Sequence, residues 1–503
     1  MSGLNSTQIH INSQIKRTAK DSLIYLPTKV IPAIIGIILI RILTTYFSPE
    51  EYGHYQIALS TFGLIRVLST IWLSTSVTRF FLKYKNEGQK SSFYSSLSLC
   101  AFLSVFIISI VGFFINDFYL KQNIAQPLFE LINLVIAASI FNSFFEILVM
   151  VYRAGLEPKK YSLYWILFSI GKPFIGVVLI ILAGFKGEGI FWGFLVTPLI
   201  LDILIFKKLE LHKFIRPSLV SKNLLKQFTS YGIPITFSFL SFWVLSLSDR
   251  YLIDIFRNSA EVGLYSVGYT ISEKTLNFIY MILMLAAYPI IIDNWEKYGE
   301  EKTQGLITEL TRYFFLICMP ILIIIIVIPK QILLIFSSDK FVAGSKVLPY
   351  IAVGVFTYGL TQYVIKGFEL HKKSIKIALL ALMAGIINIG LNIILIPRYG
   401  FLGAGIAACS AYIAYFLASY YFVKFDMAWI PPYKSILKIG IAAFHAGMFI
   451  KLLMQLSQNI FYVIILFVPL SLVIYLAMLI FLHEIKQNEI KKALIFIQKI
   501  FKG

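Results

Sequence analysis

Residues 41–55, RILTTYFSPEEYGHY, return at residues 250–265 as RYLIDIFRNSAEVGLY. Both fit R-x-L-x3-F-x3-E-x-G-x-Y, the second with one extra residue before the glutamate, at offsets of 209 and 210 residues. Two more pairs follow in order. Arg153 with Lys159 and Lys160 matches Lys366 with Lys372 and Lys373, at an offset of 213. Gly184, Phe185, Gly187, Gly189 and Ile190 match Gly400, Phe401, Gly403, Gly405 and Ile406, at an offset of 216. Three ordered matches at nearly constant spacing mark an internal duplication, and a duplication decides architecture before any single element does. The glycines read as tight turns and close helix packing. The shared Glu-x-Gly-x-Tyr reads as a turn at the start of a helix. Neither motif is assigned chemistry.

Composition says what is duplicated. The 503 residues are 58% hydrophobic and 14% charged, with a mean hydropathy of +0.81. Soluble domains carry about a quarter charged residues. The apolar residues also come in long runs, and runs of about 18 or more read as membrane-spanning helices. The alternating ten-residue segments of a membrane barrel are missing. The runs predict an all-α membrane protein of about fourteen helices, near 21–46, 56–80, 93–116, 126–154, 161–183, 188–206, 228–255, 262–292, 309–329, 345–370, 374–396, 401–423, 434–456 and 460–484. The connections are too short for a soluble domain, so function must sit in the membrane or in short loops. Cys100, Cys318 and Cys409 lie far apart in apolar stretches and read as packing residues, with no metal or redox spacing. The polar N-terminus has no cleavable signal pattern, which leaves the first helix as the insertion signal.

Charge gives the orientation. With the N-terminus cytoplasmic, 31 of the 45 Lys and Arg fall in inside loops and tails, 10 fall outside, and four lie within spans. This asymmetry predicts a multi-pass protein of the cell (inner) membrane with both termini cytoplasmic and an even helix count. It also accounts for the net charge of +20 without nucleic acid, for which no aromatic stacking motif is present. Six helices per copy keep both copies the same way up. The chain therefore divides into an N-terminal lobe at 1–218 (helices one to six), a C-terminal lobe at 219–425 (helices seven to twelve), and helices thirteen and fourteen with a tail at 426–503. Parallel repeats of this kind build two-lobed transporters that work by alternating access.

Several segments resemble a known family. Phe47-Ser48-Pro49-Glu50-Glu51-Tyr52-Gly53-His54-Tyr55 resembles the "SPEEYG-Y" segment of polysaccharide-transporter proteins. Leu247-Ser248-Asp249-Arg250-Tyr251, with Glu261-Val262-Gly263-Leu264-Tyr265-Ser266, resembles their central "LSDR…EVG-YS" stretch. Asn392 to Gly405 resembles their "N-x-L-I-P-x-Y-G-x-x-G-A" segment. The family is the O-antigen, capsule and exopolysaccharide flippase branch of the multidrug/oligosaccharidyl-lipid/polysaccharide (MOP) superfamily. The resemblance implies a V-shaped pair of six-helix bundles. It implies transport of polyprenyl-diphosphate-linked oligosaccharide from the cytoplasmic to the outer leaflet. It implies lipid-linked oligosaccharide, membrane lipids and other glycan-assembly proteins as partners. It also implies that the first two helices of each lobe line a central cavity.

Charges inside spans are costly unless they face a cavity or a partner, so each is a functional candidate. Arg66 lies near the middle of helix two, Lys172 beside Pro173 at the centre of helix five, and Lys274 in helix eight. Lys29 lies between Pro27 and Pro32, where a kink opens space. The resemblance places Lys29, Arg66, Arg250 and Lys274 along the cavity, with Lys172 a further candidate. Arg41 and Arg250 hold equivalent outer ends of helices one and seven; snorkelling explains the first, and pairing with Asp249 the second. Such cations suit a lipid diphosphate. Glu273 with Lys274 and Glu369 with Lys366 read as structural pairs. Glu146 has no partner nearby in sequence and is the candidate for a coupling proton or sodium ion. His445 reads as a buried packing residue.

No cofactor or metal is expected; coupling falls to H+, Na+ or the membrane potential. A cation-coupled multidrug exporter of the same fold is the main alternative, but its cavity should be acidic, whereas these mid-span charges lean basic. A glycan-assembly enzyme would carry a large outside loop or a soluble face with paired acids. P-loop and H-E-x-x-H motifs are absent. A structural scaffold leaves the isolated mid-span cations unexplained.

Overall fold

In lipid every backbone N–H and C=O must be satisfied within the chain, so long apolar runs become helices. The computed structural model describes residues 24–118, 120–122 and 124–485. Among these there is no strand. The predicted start of the first helix at residue 21 lies outside the described residues. So do Lys16, Arg17, Lys20, Lys486, Lys491, Lys492, Lys499 and Lys502 of the charge count.

Among the described residues thirteen helices are long and apolar enough to cross a membrane. They are α1 (Pro27–Tyr46), α2 (Pro49–Asn86), α3 (Lys90–Phe118), α4 (Gln126–Ala154), α5 (Pro158–Ala183), α6 (Gly187–Lys208), α7 (Lys222–Leu247), α8 (Ser259–Val327), α9 (Leu348–Leu370), α10 (Ser374–Tyr399), α11 (Phe401–Val423), α12 (Tyr433–Leu456) and α13 (Ile460–Phe481). At 69 residues α8 would run about 100 Å if straight, far beyond one crossing. It breaks at Gly299, whose φ of 75° is left-handed. The Thr303 hydroxyl donates to Asn294 Oδ1 at 3.3 Å, a pair that a straight helix would hold about 13 Å apart along its axis. Thus α8 is a hairpin of two spans, and the described residues make fourteen crossings.

The chain forms two compact units, residues 1–266 and 267–503. In the first, α2 is the spine. Ser48 and Glu51 close a reciprocal capping box at its start, with Pro49 in the first turn, so helix two begins earlier than its apolar run suggests. Leu73, Val77 and Phe81 of α2 pack with Phe93, Leu97, Ile147 and Val151 of α3 and α4. Phe145, Tyr152, Tyr164, Phe168, Leu201 and Ile205 form a second core joining α4, α5 and α6. Helix α7 lies along α2. Trp243 Nε1 donates to the Ser60 carbonyl at 3.1 Å, and Ser76 donates to the Phe228 carbonyl at 3.2 Å.

In the second unit Tyr269 and Tyr412 share a hydroxyl hydrogen bond of 2.9 Å, and Trp429 Nε1 donates to Thr311 at 3.1 Å. Buried Arg312 donates through Nε to Glu484 at 2.6 Å and through Nη1 to Glu309 at 2.8 Å, tying the second span of α8 to the segment after α13. Lys373 and Lys376 both pair with Asp426, whose side chain is 1% exposed. In the first unit Lys186 pairs with Glu51. Each of these pairs joins residues that the charge count puts on the same side of the membrane. His445 departs from expectation. It is exposed, with Nδ1 against its own helix's Ile441 carbonyl at 2.8 Å, because it lies on the exposed face of α12 with Leu437, Phe444 and Met448.

The two repeated glycines meet. A Cβ on Gly53 would lie 1.7 Å from the Ser259 carbonyl oxygen, and one on Gly263 would lie 1.9 Å from that of Pro49. Residues 49 and 53 therefore face 259 and 263 reciprocally, copy against copy, and only hydrogen side chains let the helices approach this closely. The expected turn at Glu-x-Gly-x-Tyr is the first turns of a helix in both copies. The G-F-x-G-x-G-I repeat divides as expected between a turn, at Gly184 with φ 70°, and close packing, at Gly403 against the Leu395 carbonyl. Gly53→Ala should lower the melting temperature of the purified protein, at a cost of about 1–3 kcal/mol for overpacking. Gly305→Ala, where nothing lies within 4 Å, should leave it unchanged or raise it. Equal melting of the two variants would contradict the contact.

Candidate functional site

Helices α1 and α2 are joined by a two-residue connection, and Lys29 and Arg66 each lie seventeen residues from it, counted from Tyr46 and Pro49. Equal spacing on adjoining helices puts both cations at one depth, about 26 Å from the connection. Arg66 meets Glu146 of α4, Nε to Oε1 at 2.5 Å. So the carboxylate that lacks a partner in its own stretch of sequence has one on α2. The Glu146 side chain is 9% exposed, while Arg66 is 40% exposed.

Lys172 of α5 lies over two aromatic faces, 3.8 Å from the Phe168 centroid and 4.3 Å from that of Phe194. A ring face attracts an ammonium without neutralising it, so the charge is held but not cancelled. Lys172 lies within electrostatic reach of both Glu146 and Arg66. Lys29 is exposed and within reach of Arg66 and Arg153. Arg66 and Lys172 thus share the carboxylate of Glu146, and Lys29 links Arg66 to Arg153, so cations outnumber the acid in this group.

The seam beneath this group is polar and rigid. Ser143, three residues before Glu146, shares hydrogen bonds of 2.9 Å with Ser69 and with Thr70, which follow Arg66 by three and four residues. Asn142 Nδ2 donates to the Phe194 carbonyl at 2.5 Å and to the Ala138 carbonyl at 2.7 Å, fixing α4 against α6. The helices that carry the ion pair are clamped one turn away from it.

Other candidates lie elsewhere. Arg250 is 3% exposed, donates through Nη1 to the Ser246 carbonyl at 3.1 Å, and lies over the Tyr265 ring. It is within reach of Tyr52, fourteen residues and about 21 Å along α2 from Arg66, so it is not part of the Arg66 group. Its neighbour Asp249 accepts from the Tyr265 hydroxyl at 2.5 Å. Arg41 is exposed near the end of α1. Lys274 is half-buried in the second unit; its neighbour Glu273 accepts from Asn277 at 2.8 Å. Lys366 and Glu369 form the expected structural pair, at 2.6 Å.

Arg153 escaped the sequence reading because it ends a helix and counted as a loop charge. One signal was available. It lies seven residues from Glu146 and so shares its face of α4. Among the described residues no group of His, Cys, Asp and Glu could hold a metal ion.

Residues 18–295 match the family described as polysaccharide biosynthesis protein. The chain belongs to that family. This family member has the fold of the lipid II flippase MurJ in an inward closed conformation, with a TM-score of 0.74 at 17% identity over 93% of this chain and 99% of that one. An inward-facing multidrug resistance MATE transporter of the MOP superfamily superposes with a TM-score of 0.64 at 14% identity, over 80% of this chain and 98% of that one. An uncharacterized membrane protein of Methanocaldococcus jannaschii is 20% identical over 82% of this chain and 86% of its own length. The recognition from sequence and the all-α membrane class hold, and the fold is that of MOP-superfamily transporters and flippases.

Proposed function

We propose that this protein translocates a polyprenyl-diphosphate-linked oligosaccharide (an O-antigen, capsule or exopolysaccharide unit) from the cytoplasmic to the outer leaflet. The observation that carries the reading is the ion pair of part-exposed Arg66 with Glu146, with Lys172 within reach of both partners and Lys29 within reach of Arg66. A diphosphate headgroup bears about two negative charges, and a bare ion costs tens of kcal/mol in hydrocarbon. Partly exposed cations at that depth replace the lost hydration, and a guanidinium grips phosphate oxygens two at a time. A pocket built for cationic drugs would need the opposite surplus, which argues against the exporter reading. The chemistry asked of the protein is charge compensation along a path, so no catalytic residue and no cofactor is required. The charge asymmetry supports cytoplasmic termini in the cell membrane.

A negative cell interior drives an anion outward. At about 2.3 kcal/mol per charge per 100 mV, a doubly charged headgroup gains roughly 4–5 kcal/mol, enough to bias transport without a coupling ion.

Arg66→Gln should abolish glycan export while the protein still reaches the membrane. Lys274→Gln, tested separately in the second unit, should reduce it. Wild-type export from Arg66→Gln, measured as surface glycan per membrane-inserted protein, removes the cationic-site argument. In proteoliposomes, collapsing an inside-negative potential should slow flipping several-fold. An unchanged rate leaves the potential without a role.

A further inference from the structure

Glu146 at first sight works against the proposed function, because a carboxylate beside Arg66 competes with an anionic headgroup. The contact geometry points the other way. A guanidinium has five N–H donors and usually meets a carboxylate by two parallel hydrogen bonds. Here the contact is one-point, Nε to Oε1 at 2.5 Å. The Nη1 and Nη2 donors have no hydrogen-bond partner among the described residues, and the side chain is 40% exposed. Glu146 is buried and cannot follow Arg66 outward. Its own position is fixed from both sides, by Ser143 on Ser69 and Thr70 and by Asn142 on the Phe194 carbonyl. The carboxylate thus holds the guanidinium by its inner edge and leaves the outer fork open.

We propose that Glu146 is the positioning residue for Arg66: it fixes the guanidinium through Nε so that the Nη1 and Nη2 fork receives the diphosphate, and the pair stays intact in the loaded state. The inference rests on the headgroup reading above and deepens it. Lys172 and Lys29 complete the arrangement. Neither has a carboxylate of its own at contact distance among the described residues, so both remain available to the second phosphate. The clamp between α2 and α4 then has a purpose. It keeps the fork's direction fixed when no substrate is bound, so ordering of that side chain is not charged against binding.

Charge and orientation separate in two substitutions. Glu146→Gln keeps an oxygen acceptor for Nε and removes the competing charge. Glu146→Ala removes both and frees the guanidinium to turn. The full chain in detergent micelles is titrated with farnesyl diphosphate, a prenyl diphosphate of manageable solubility, with thermal melting as the check on folding. Glu146→Gln should bind at least about fivefold more tightly than wild type, since a like charge about 5 Å from the ligand is lost. Glu146→Ala should bind more weakly than Glu146→Gln despite the same charge, and lose most of the gain. Equal affinity of the two variants overturns the positioning role and leaves Glu146 only a charge. Weaker binding by Glu146→Gln than by wild type overturns it as well, and this arm holds even if the alanine variant fails to fold. Arg66→Gln is the separate control. If it binds farnesyl diphosphate like wild type, the headgroup reading itself falls, whatever Glu146 does.

Discussion

Arg66 and Glu146 face each other across the α2–α4 seam, and the buried carboxylate could not stand there alone. In a medium that cannot solvate ions, a charge needs a partner or access to water. Glu146 is buried and uses the partner; Arg66 is partly exposed and has both. The surrounding structure follows from holding that pair still. Three hydroxyls clamp α2 to α4 beneath it, Asn142 clamps α4 to α6, and the stacked rings of Phe145 and Phe168 bring α5 close enough for Lys172 to join.

Much of the fold was legible because the membrane restricts the choices. Run length gave the spans, and the loop cations gave a consistent sidedness, with Lys186–Glu51, Lys373–Asp426 and Arg312–Glu484 each joining residues assigned to one side. The repeat was visible as motif spacing. Its physical meaning was not. That Gly53 and Gly263 meet face to face depends on which helices become neighbours, and sequence periodicity carries no such information. Helix starts were misplaced where a cap lies ahead of the apolar run, as at Ser48 and Pro49, because hydropathy registers the core and the cap is polar.

The site was half legible. A lone cation in an apolar run is conspicuous, so Lys29, Arg66, Lys172 and Lys274 stood out. Which of them gather is a tertiary question. Arg66 and Lys172 do, at a carboxylate eighty residues from Arg66 in the chain, with Lys29 within reach of Arg66, whereas Arg250 lies some 21 Å along α2 in a buried nest of its own. Arg153 was hidden by its place at a helix end, where a cation looks like a topology marker. The lesson is specific to membranes. Charges at helix ends are discounted by rule, yet one of them shares a face with the buried acid.

If this arrangement carries a lipid-linked anion across the bilayer, the leaflet in which that lipid resides depends on the protein. In cells lacking the gene, lipid-linked oligosaccharide should accumulate and remain on the cytoplasmic leaflet, shielded from reagents applied outside to spheroplasts. Restoring the gene should return it to the outer leaflet. A lipid-linked pool of normal size that still reaches the outer leaflet in the deleted strain would show that the protein does not carry it.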